Sequence, residues 1–372
     1  MKPGHGHHIA FYAPMKSPQH PVPSGDREMA RNLMGLLSKT GAEVTLITEL
    51  RIYDKLGDPK RQKVMRTKAA LEVDRLCAEL AALPETERPV LWLTYHNYYK
   101  APDLIGPEVA DRLGIPYVQI ESTRAKKRLI GPWADFAKAA HDAADAAAVI
   151  FYLTSQDHET LLRDRCAEQQ LIHLSPFLPG GTLPTASALS GPMLSVGMMR
   201  TGDKLASYRI LAAALAEIPA TWQLEIAGDG PARAEVEALM APFGNQVRFL
   251  GQLQADALTA AYQRASFFVW PGVNEAFGMV YLEAQSHGLP VLAQDRPGLR
   301  DVVAPWEDAD LSPTPEVGPT GFAAAMSRLL TDADLLRRQA CRVRTHITDR
   351  HLAPAAAKTL WSALTPLLEI TP

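Results

Sequence analysis

The chain has 372 residues, 47% of them hydrophobic and 21% charged, with a formal net charge of −3. That length asks for two domains rather than one core. The composition excludes global disorder, and the charge balance excludes a nucleic-acid binder driven by overall charge. Three widely spaced cysteines, Cys77, Cys166 and Cys341, form no CxxC pair and no metal-ligand spacing, so a reduced, cytosolic compartment is expected. No apolar run reaches the roughly 18 residues of a membrane span. Met1–His8 lacks the apolar core of a signal peptide, and a soluble chain is expected.

Along the chain, short apolar runs alternate with helical patterns. Strands are expected at His8–Ala13, Glu43–Thr48, Val90–Tyr95, Tyr117–Glu121, Ala148–Thr154 and Leu171–Leu174. Helices are expected between them at Asp26–Lys39, Lys68–Ala82, Pro107–Leu113, Pro132–Ala147 and Asp157–Glu168. Ser175–Pro192 then breaks the rhythm with Pro176, Pro179, Gly180, Gly181, Pro184, Gly191 and Pro192, the composition of a linker. The alternation restarts with strands at Met193–Val196, Gln223–Ala227, Val247–Leu250, Ser266–Trp270 and Val291–Ala293. Its helices are expected at Leu205–Glu217, Ala232–Met240, Ala255–Arg264, Gly278–His287 and Gly298–Val303, followed by a helical tail at Gly321–Leu329, Ala333–His346 and Pro354–Leu368. Strands separated by helices give βαβ units and parallel sheets. The expected architecture is therefore α/β, with domains over 1–180 and 193–350, a linker over 181–192 and a C-terminal helix over 351–372. Ligands of such sheets bind beyond the carboxyl ends of the strands, so two doubly wound domains facing across a cleft would share one site there.

Five segments carry chemistry. Pro23-Ser-Gly-Asp-Arg-Glu28 follows the first strand; Gly25 lets backbone approach a ligand, and the helix start offers bare N–H groups. No GxGxxG is present, which disfavours a dinucleotide oxidoreductase. His96, in Thr94-Tyr95-His96-Asn97, ends a strand and is read either as structural or as facing the cleft. Arg200 and Lys204 place two cations at the start of a helix, which the helix dipole disfavours and an anionic ligand would explain. Gly228 and Gly230 form either a tight turn or a ligand-side loop. In Pro271–Pro290, Glu275 sits in a turn, and the N–H groups of Phe277, Gly278 and Met279 open a helix whose positive end suits a diphosphate or a sugar hydroxyl. Glu283, inside that helix, can accept hydrogen bonds from a ribose diol.

Glu275 and Glu283, in a Glu-x7-Glu arrangement within Glu-Ala-Phe-Gly-Met-Val-Tyr-Leu-Glu-Ala and closed by His-Gly-Leu-Pro-Val, resemble the signature of family 4 glycosyltransferases, retaining enzymes of the GT-B fold. The resemblance implies that Glu275 contacts the donor sugar and Glu283 the ribose. It implies that Arg200 and Lys204 grip the donor diphosphate, although the family usually has its Arg where Met198 stands, with one more residue of spacing. Residues 23–28 are similar to the family's glycine loop, with Ser24 or Asp26 in place of a second glycine. His96 matches a histidine near the transferred sugar, and Gly228-Asp229-Gly230-Pro231 resembles a Gly-x-Gly-Pro segment beside the nucleotide.

The implied activity is transfer of a sugar, with retention, from a UDP- or GDP-sugar to a saccharide, lipid-linked or other cell-envelope acceptor. The first domain would bind the acceptor and the second the nucleotide sugar. The last helix, apolar at Leu360, Trp361, Leu364 and Leu367, would cross back to the first domain. A GT-B epimerase or phosphorylase, and a non-catalytic nucleotide-sugar-binding module, are the rival readings. No cofactor or metal is expected, because His5, His7 and His8 make no closed ligand set. The basic run over 51–68, with Arg124, Lys126, Lys127 and Arg128, is either a solvated face or a contact with an anionic acceptor or the inner face of a membrane.

Overall fold

A computed structural model describes residues 2–22 and 24–370. The chain divides into two units, one built from residues up to Pro179 together with those from Ala353 onward, the other from Gly180–Leu352.

The first unit runs β1 (His8–Tyr12), α1 (Gly25–Lys39), β2 (Glu43–Thr48), α2 (Pro59–Ala82), β3 (Leu91–Asn97), α3 (Gly106–Leu113), β4 (Tyr117–Ser122), α4 (Ala134–Ala146), β5 (Val149–Tyr152), α5 (Ser155–Arg163) and β6 (Gln170–His173). Its six strands are ordered β2-β1-β3-β4-β5-β6, and every neighbouring pair is parallel. The inner strands are covered on both faces, which is why they read as continuous apolar runs rather than alternating ones: Ile9, Phe11, Leu91, Leu93, Val118, Ile150 and Phe151 are all buried. Ser24 caps α1 by accepting from Arg27 N at 3.3 Å, with Asp26 and Glu28 in the favourable first turn.

Two helices of this unit depart from the sequence expectation. α5, expected to run to Glu168, ends at Arg163. α2 begins at Pro59, not Lys68, with Asp58 accepting from Lys60 N at 2.9 Å and proline in the first turn. Its first half is dense in charge and has little apolar periodicity, so only the Asp-Pro start signal marks it. Most of the basic run over 51–68 is thus the exposed face of a helix.

The second unit runs β7 (Met193–Val196), α6 (Asp203–Leu215), β8 (Leu224–Ala227), α7 (Arg233–Met240), β9 (Val247–Gly251), α8 (Ala255–Arg264), β10 (Phe268–Val269), α9 (Met279–Ser286), β11 (Val291–Leu292), α10 (Pro297–Arg300), α11 (Gly318–Thr331) and α12 (Ala333–Arg350). Its parallel sheet is ordered β11-β10-β7-β8-β9. α10 is a single turn and stops short of Val303. Residues 181–192, expected as a linker, are fastened along this unit. Ser187 N donates to His287 O at 2.8 Å, Arg344 donates to Pro184 O at 3.0 Å, and a Cβ on Gly191 would lie 1.9 Å from Arg264 O.

The chain then returns to the first unit as α13 (Ala353–Ile370). Leu360, Trp361 and Leu364 are buried there, and Trp361 Nε1 donates to Thr40 Oγ1 at 2.8 Å. Gly4 is required beside this ring, since a Cβ would stand 2.7 Å from it. Among the described residues no helix is long and apolar enough to cross a membrane.

Candidate functional site

In the second unit, three loops at the carboxyl ends of strands carry most of the residues singled out in the sequence. The turn after β10 is fixed to the first turns of α6 by three bonds. Lys204 Nζ pairs with Glu275 Oε1, Asn274 Nδ2 donates to Asp203 Oδ1 at 2.9 Å, and Val273 N donates to Ser207 Oγ at 3.0 Å. Asn274 adopts φ +51, a left-handed conformation that asparagine tolerates better than most residues. Trp270 Nε1 donates to the same Glu275 oxygen at 3.1 Å, and the Lys204 ammonium lies 5.7 Å from the Trp270 ring centroid. Glu275 Oε2 has no hydrogen-bond partner among the described residues. The half-buried pair therefore presents one positive group and one uncommitted carboxylate oxygen from a rigid turn.

α9 starts at Met279, directly after this turn, so the N–H groups of Phe277, Gly278 and Met279 stand at its amino end. Gly278 caps it at φ +67, where a side chain would be strained and would press on Tyr281. Glu283, half-buried on α9, accepts from Tyr262 Oη at 3.0 Å, and Tyr262 stacks on His287 with centroids 5.1 Å apart. Arg200 differs from Lys204: its side chain is exposed and has no partner among the described residues.

Gly228 and Gly230 serve the backbone. They adopt φ +142 and +153, and Cβ atoms there would fall 1.9 Å from Gly197 O and 2.3 Å from Met199 O. The loop after β8 lies directly on the loop after β7, with Met199 N donating to Asp229 O and Ala232 N to Met199 O, both at 2.9 Å. These glycines thereby hold the loop that carries Arg200.

In the first unit, Gly25 opens α1 with an ordinary φ, and a Cβ there would meet nothing within 4 Å. No packing demand accounts for it; Pro23, from the same segment, lies outside the described residues. His96 is the penultimate residue of β3 with φ +68, and Nδ1 lies 3.5 Å from Asp26 on α1 and 3.5 Å from Glu121 on β4. Asp26 also pairs with Lys16. Burial alone would push the imidazole down, but Glu121 and Asp26 outweigh it and hold it up at about 9. Burial opposes ionisation of Asp26 too, yet His96 and Lys16 keep that carboxyl well below the usual range. Burial raises Glu121 against the pull of His96.

Sequence reasoning missed Asp26 as a partner of His96, Glu121, Trp270, Ser207 and Tyr262. Of the three amino-terminal histidines, His8 bonds Glu87 O and Thr45 Oγ1, and His7 stacks on Trp361. Among the described residues no group of three or more His, Cys, Asp or Glu is placed to hold a metal ion.

Known proteins give the geometry a context. Residues 193–332 match the family model for glycosyl transferases group 1. A GDP-mannose-dependent alpha-mannosyltransferase of Mycolicibacterium smegmatis is 41% identical over 117 residues, 32% of this chain and 29% of that protein. Over its first three curated relatives the chain spans only 20%, 20% and 29% of their length. Among solved structures, sucrose-phosphate synthase from Thermosynechococcus elongatus superposes with a TM-score of 0.69 at 18% identity, covering 98% of this chain and 99% of that one. Anabaena Alr3699/HepE in complex with UDP-glucose gives 0.67 at 16% identity, with 96% and 99% covered. These likenesses establish the fold as GT-B, two parallel-sheet α/β domains.

Proposed function

We propose that the chain is a retaining glycosyltransferase of family 4 type, which moves a sugar from a UDP- or GDP-sugar to a hydroxyl of a saccharide, lipid-linked or other cell-envelope acceptor. The observation that carries this reading is the locked turn, in which Lys204 and Glu275 are fixed together at the amino end of α9. Lys204, Arg200 and the helix N–H groups meet the charge of the leaving diphosphate, and such preorganised donors are often the largest catalytic term. The uncommitted oxygen of Glu275 receives a sugar hydroxyl, and Glu283 receives the ribose. Gly228 and Gly230 border the nucleotide, and His96 and Gly25 contact sugar on the first unit. The acceptor hydroxyl attacks from the face the diphosphate leaves, without a carboxylate nucleophile and without a metal or other cofactor. The matched family stretch and the mannosyltransferase similarity support this reading. It places the protein in polysaccharide or glycolipid synthesis in the cytoplasm.

The test is thermal stability with UDP, GDP, ADP and their sugar conjugates, on wild type and Glu283→Ala. One nucleotide stabilises the wild type, by about 2.7 kcal/mol at a hundred times its Kd, and the variant loses most of that gain. A panel with no shift for any nucleotide overturns the reading in favour of a protein that does not bind nucleotide sugars.

A second element of the proposal is peripheral contact with an anionic membrane. The two basic runs come together, because Gln62 Nε2 donates to Pro132 O at 3.0 Å and Trp133 Nε1 to Asp54 O at 3.2 Å. Leu56 and Ile130, 77% and 79% exposed, stand among exposed Lys55, Lys60, Arg61, Lys63 and Lys127. Arg124 does not take part, being buried against Asp145 at 2.6 Å. At about 1 kcal/mol per basic residue, Lys60→Glu with Lys63→Glu weakens sedimentation with phosphatidylserine vesicles at least tenfold. Equal sedimentation of variant and wild type, or none with either, sinks the membrane contact.

A further inference from the structure

His96 and Glu121 occupy facing positions at the carboxyl ends of neighbouring strands, between the register pairs Tyr95–Ile120 and Asn97–Ser122. Both are left-handed, at φ +68 and +60. Glutamate rarely adopts that region and histidine only somewhat more readily, and strain of this kind persists where the surroundings over-determine it and clusters at working sites. Two strained residues side by side, one acidic and one basic, are not needed to build a parallel ladder.

The charges around the ring come from four elements. Asp26 on α1 and Glu121 on β4 each approach Nδ1 to 3.5 Å. Asp157 on α5 adds a third carboxylate, held by the hydroxyls of Thr123 at 2.7 Å and Thr154 at 2.8 Å. Lys16, after β1, pairs with Asp26, and the rings of Tyr95 and Tyr98 pack at 5.9 and 4.8 Å from the imidazole. His96 Nδ1 and Glu121 Oε2 are both sealed from solvent without a well-aligned hydrogen bond, while the imidazole as a whole keeps 18% exposure and the Glu121 side chain 12%. The open part of the ring is therefore away from Nδ1.

We propose that Glu121 is a positioning residue which, with Asp26, holds His96 doubly protonated, so that the open edge of the ring donates a hydrogen bond to an oxygen of the bound sugar substrate and takes no proton from it. This rests on the reading of His96 as a sugar-contacting residue. It narrows the chemistry of the group that docks here to an oxygen lone pair, in a hydroxyl, ring oxygen or carboxylate, and it disfavours an ammonium group at that point. The poorly aligned Glu121 oxygen, next to the Tyr95 hydroxyl, and the two left-handed backbones are then the cost of holding the ring charged.

The experiment is an NMR pH titration of the full chain carrying 15N-labelled histidine, with the His96 signals identified by their loss in His96→Gln. In the wild type His96 titrates at about 9. In Glu121→Gln and in Asp26→Asn its midpoint falls by roughly one unit or more toward the ordinary value of about 6.5. The alkaline limb of kcat/KM for sugar transfer moves with it. A wild-type midpoint near the ordinary value overturns the proposal, as does a midpoint that neither variant moves. If circular dichroism shows Glu121→Gln unfolded, Glu121→Asp replaces it, and a midpoint unmoved in both Glu121→Asp and Asp26→Asn is equally fatal. Nucleotide-induced stabilisation belongs to the second unit, so its absence beside an intact titration would count against the transferase reading alone.

Discussion

Lys204→Ala lowers kcat/KM for the nucleotide sugar by about 10²–10³-fold, the loss typical of removing one preorganised charge-stabilising donor. The expectation follows from two duties of one ammonium group. It sits where a diphosphate would approach the amino end of α9, and it is also the partner that fixes Glu275. Removing it deletes a positive charge and frees a half-buried carboxylate, leaving Trp270 Nε1 as the hydrogen bond that restrains it. Lys204→Arg separates the duties, since it keeps the charge but cannot reproduce the same compact contact with Glu275. The arginine variant should recover nucleotide affinity while kcat stays low, because a displaced Glu275 misorients the sugar. Steady-state kinetics with the nucleotide found by thermal shift checks both. An alanine variant within tenfold of wild type would remove Lys204 from the chemistry.

Gly298→Ala disables the same site without altering any group that could touch substrate. A Cβ at Gly298 would lie 2.2 Å from Ala276 O and 2.3 Å from Glu275 O, distances no real contact attains, and both obstacles are backbone. The turn carrying Glu275 has to move, and its bonds to Asp203, Ser207 and Lys204 move with it. Overpacking of this kind costs about 1–3 kcal/mol, and the displacement of Glu275 should lower kcat/KM by roughly 100-fold, as a misplacement of about 1 Å in catalytic geometry can. Gly25→Ala is the contrasting case. A Cβ there meets nothing within 4 Å and the backbone is ordinary, so unfolding free energy should stay within about 0.5 kcal/mol. Denaturant unfolding and kinetics on the two variants distinguish a glycine kept for packing from one kept for a ligand; if Gly298→Ala is as stable and active as wild type, the packing argument fails.

Much of this was legible in the sequence where the signal is local. The parallel sheets follow from apolar runs such as Leu91–Leu93 and Phe267–Trp270, which a sheet covered on both faces requires. The turn and helix over 271–290 were legible for a similar reason: strand end, acidic turn, Gly278 and the Gly288-Leu-Pro290 stop lie in one stretch of chain. What escaped is non-local. Asp26, His96 and Glu121 come from three elements and meet only because β1, β3 and β4 are neighbours in the sheet. Gly298 acts on a turn more than twenty residues before it, and nothing around it announces a close approach. Residues 181–192 have the composition of a tether yet lie hydrogen-bonded along the second unit, since proline and glycine report backbone shape and not attachment. The early start of α2 was hidden by its charge, because periodicity detects buried faces and its first turns have little to bury.

The return of α13 to the first unit has a consequence for biosynthesis. On the ribosome, the strands and helices up to Pro179 emerge first, but the Trp361 side chain that donates to Thr40 is translated only after the whole of Gly180–Leu352. The second unit, continuous in sequence, can close as soon as it clears the exit tunnel, whereas the first must wait with the surface beside Gly4 and Thr40 uncovered. Nascent chains halted before residue 353 should therefore display a finished second unit beside an unfinished first one, and in that waiting interval the uncovered surface is exposed to aggregation.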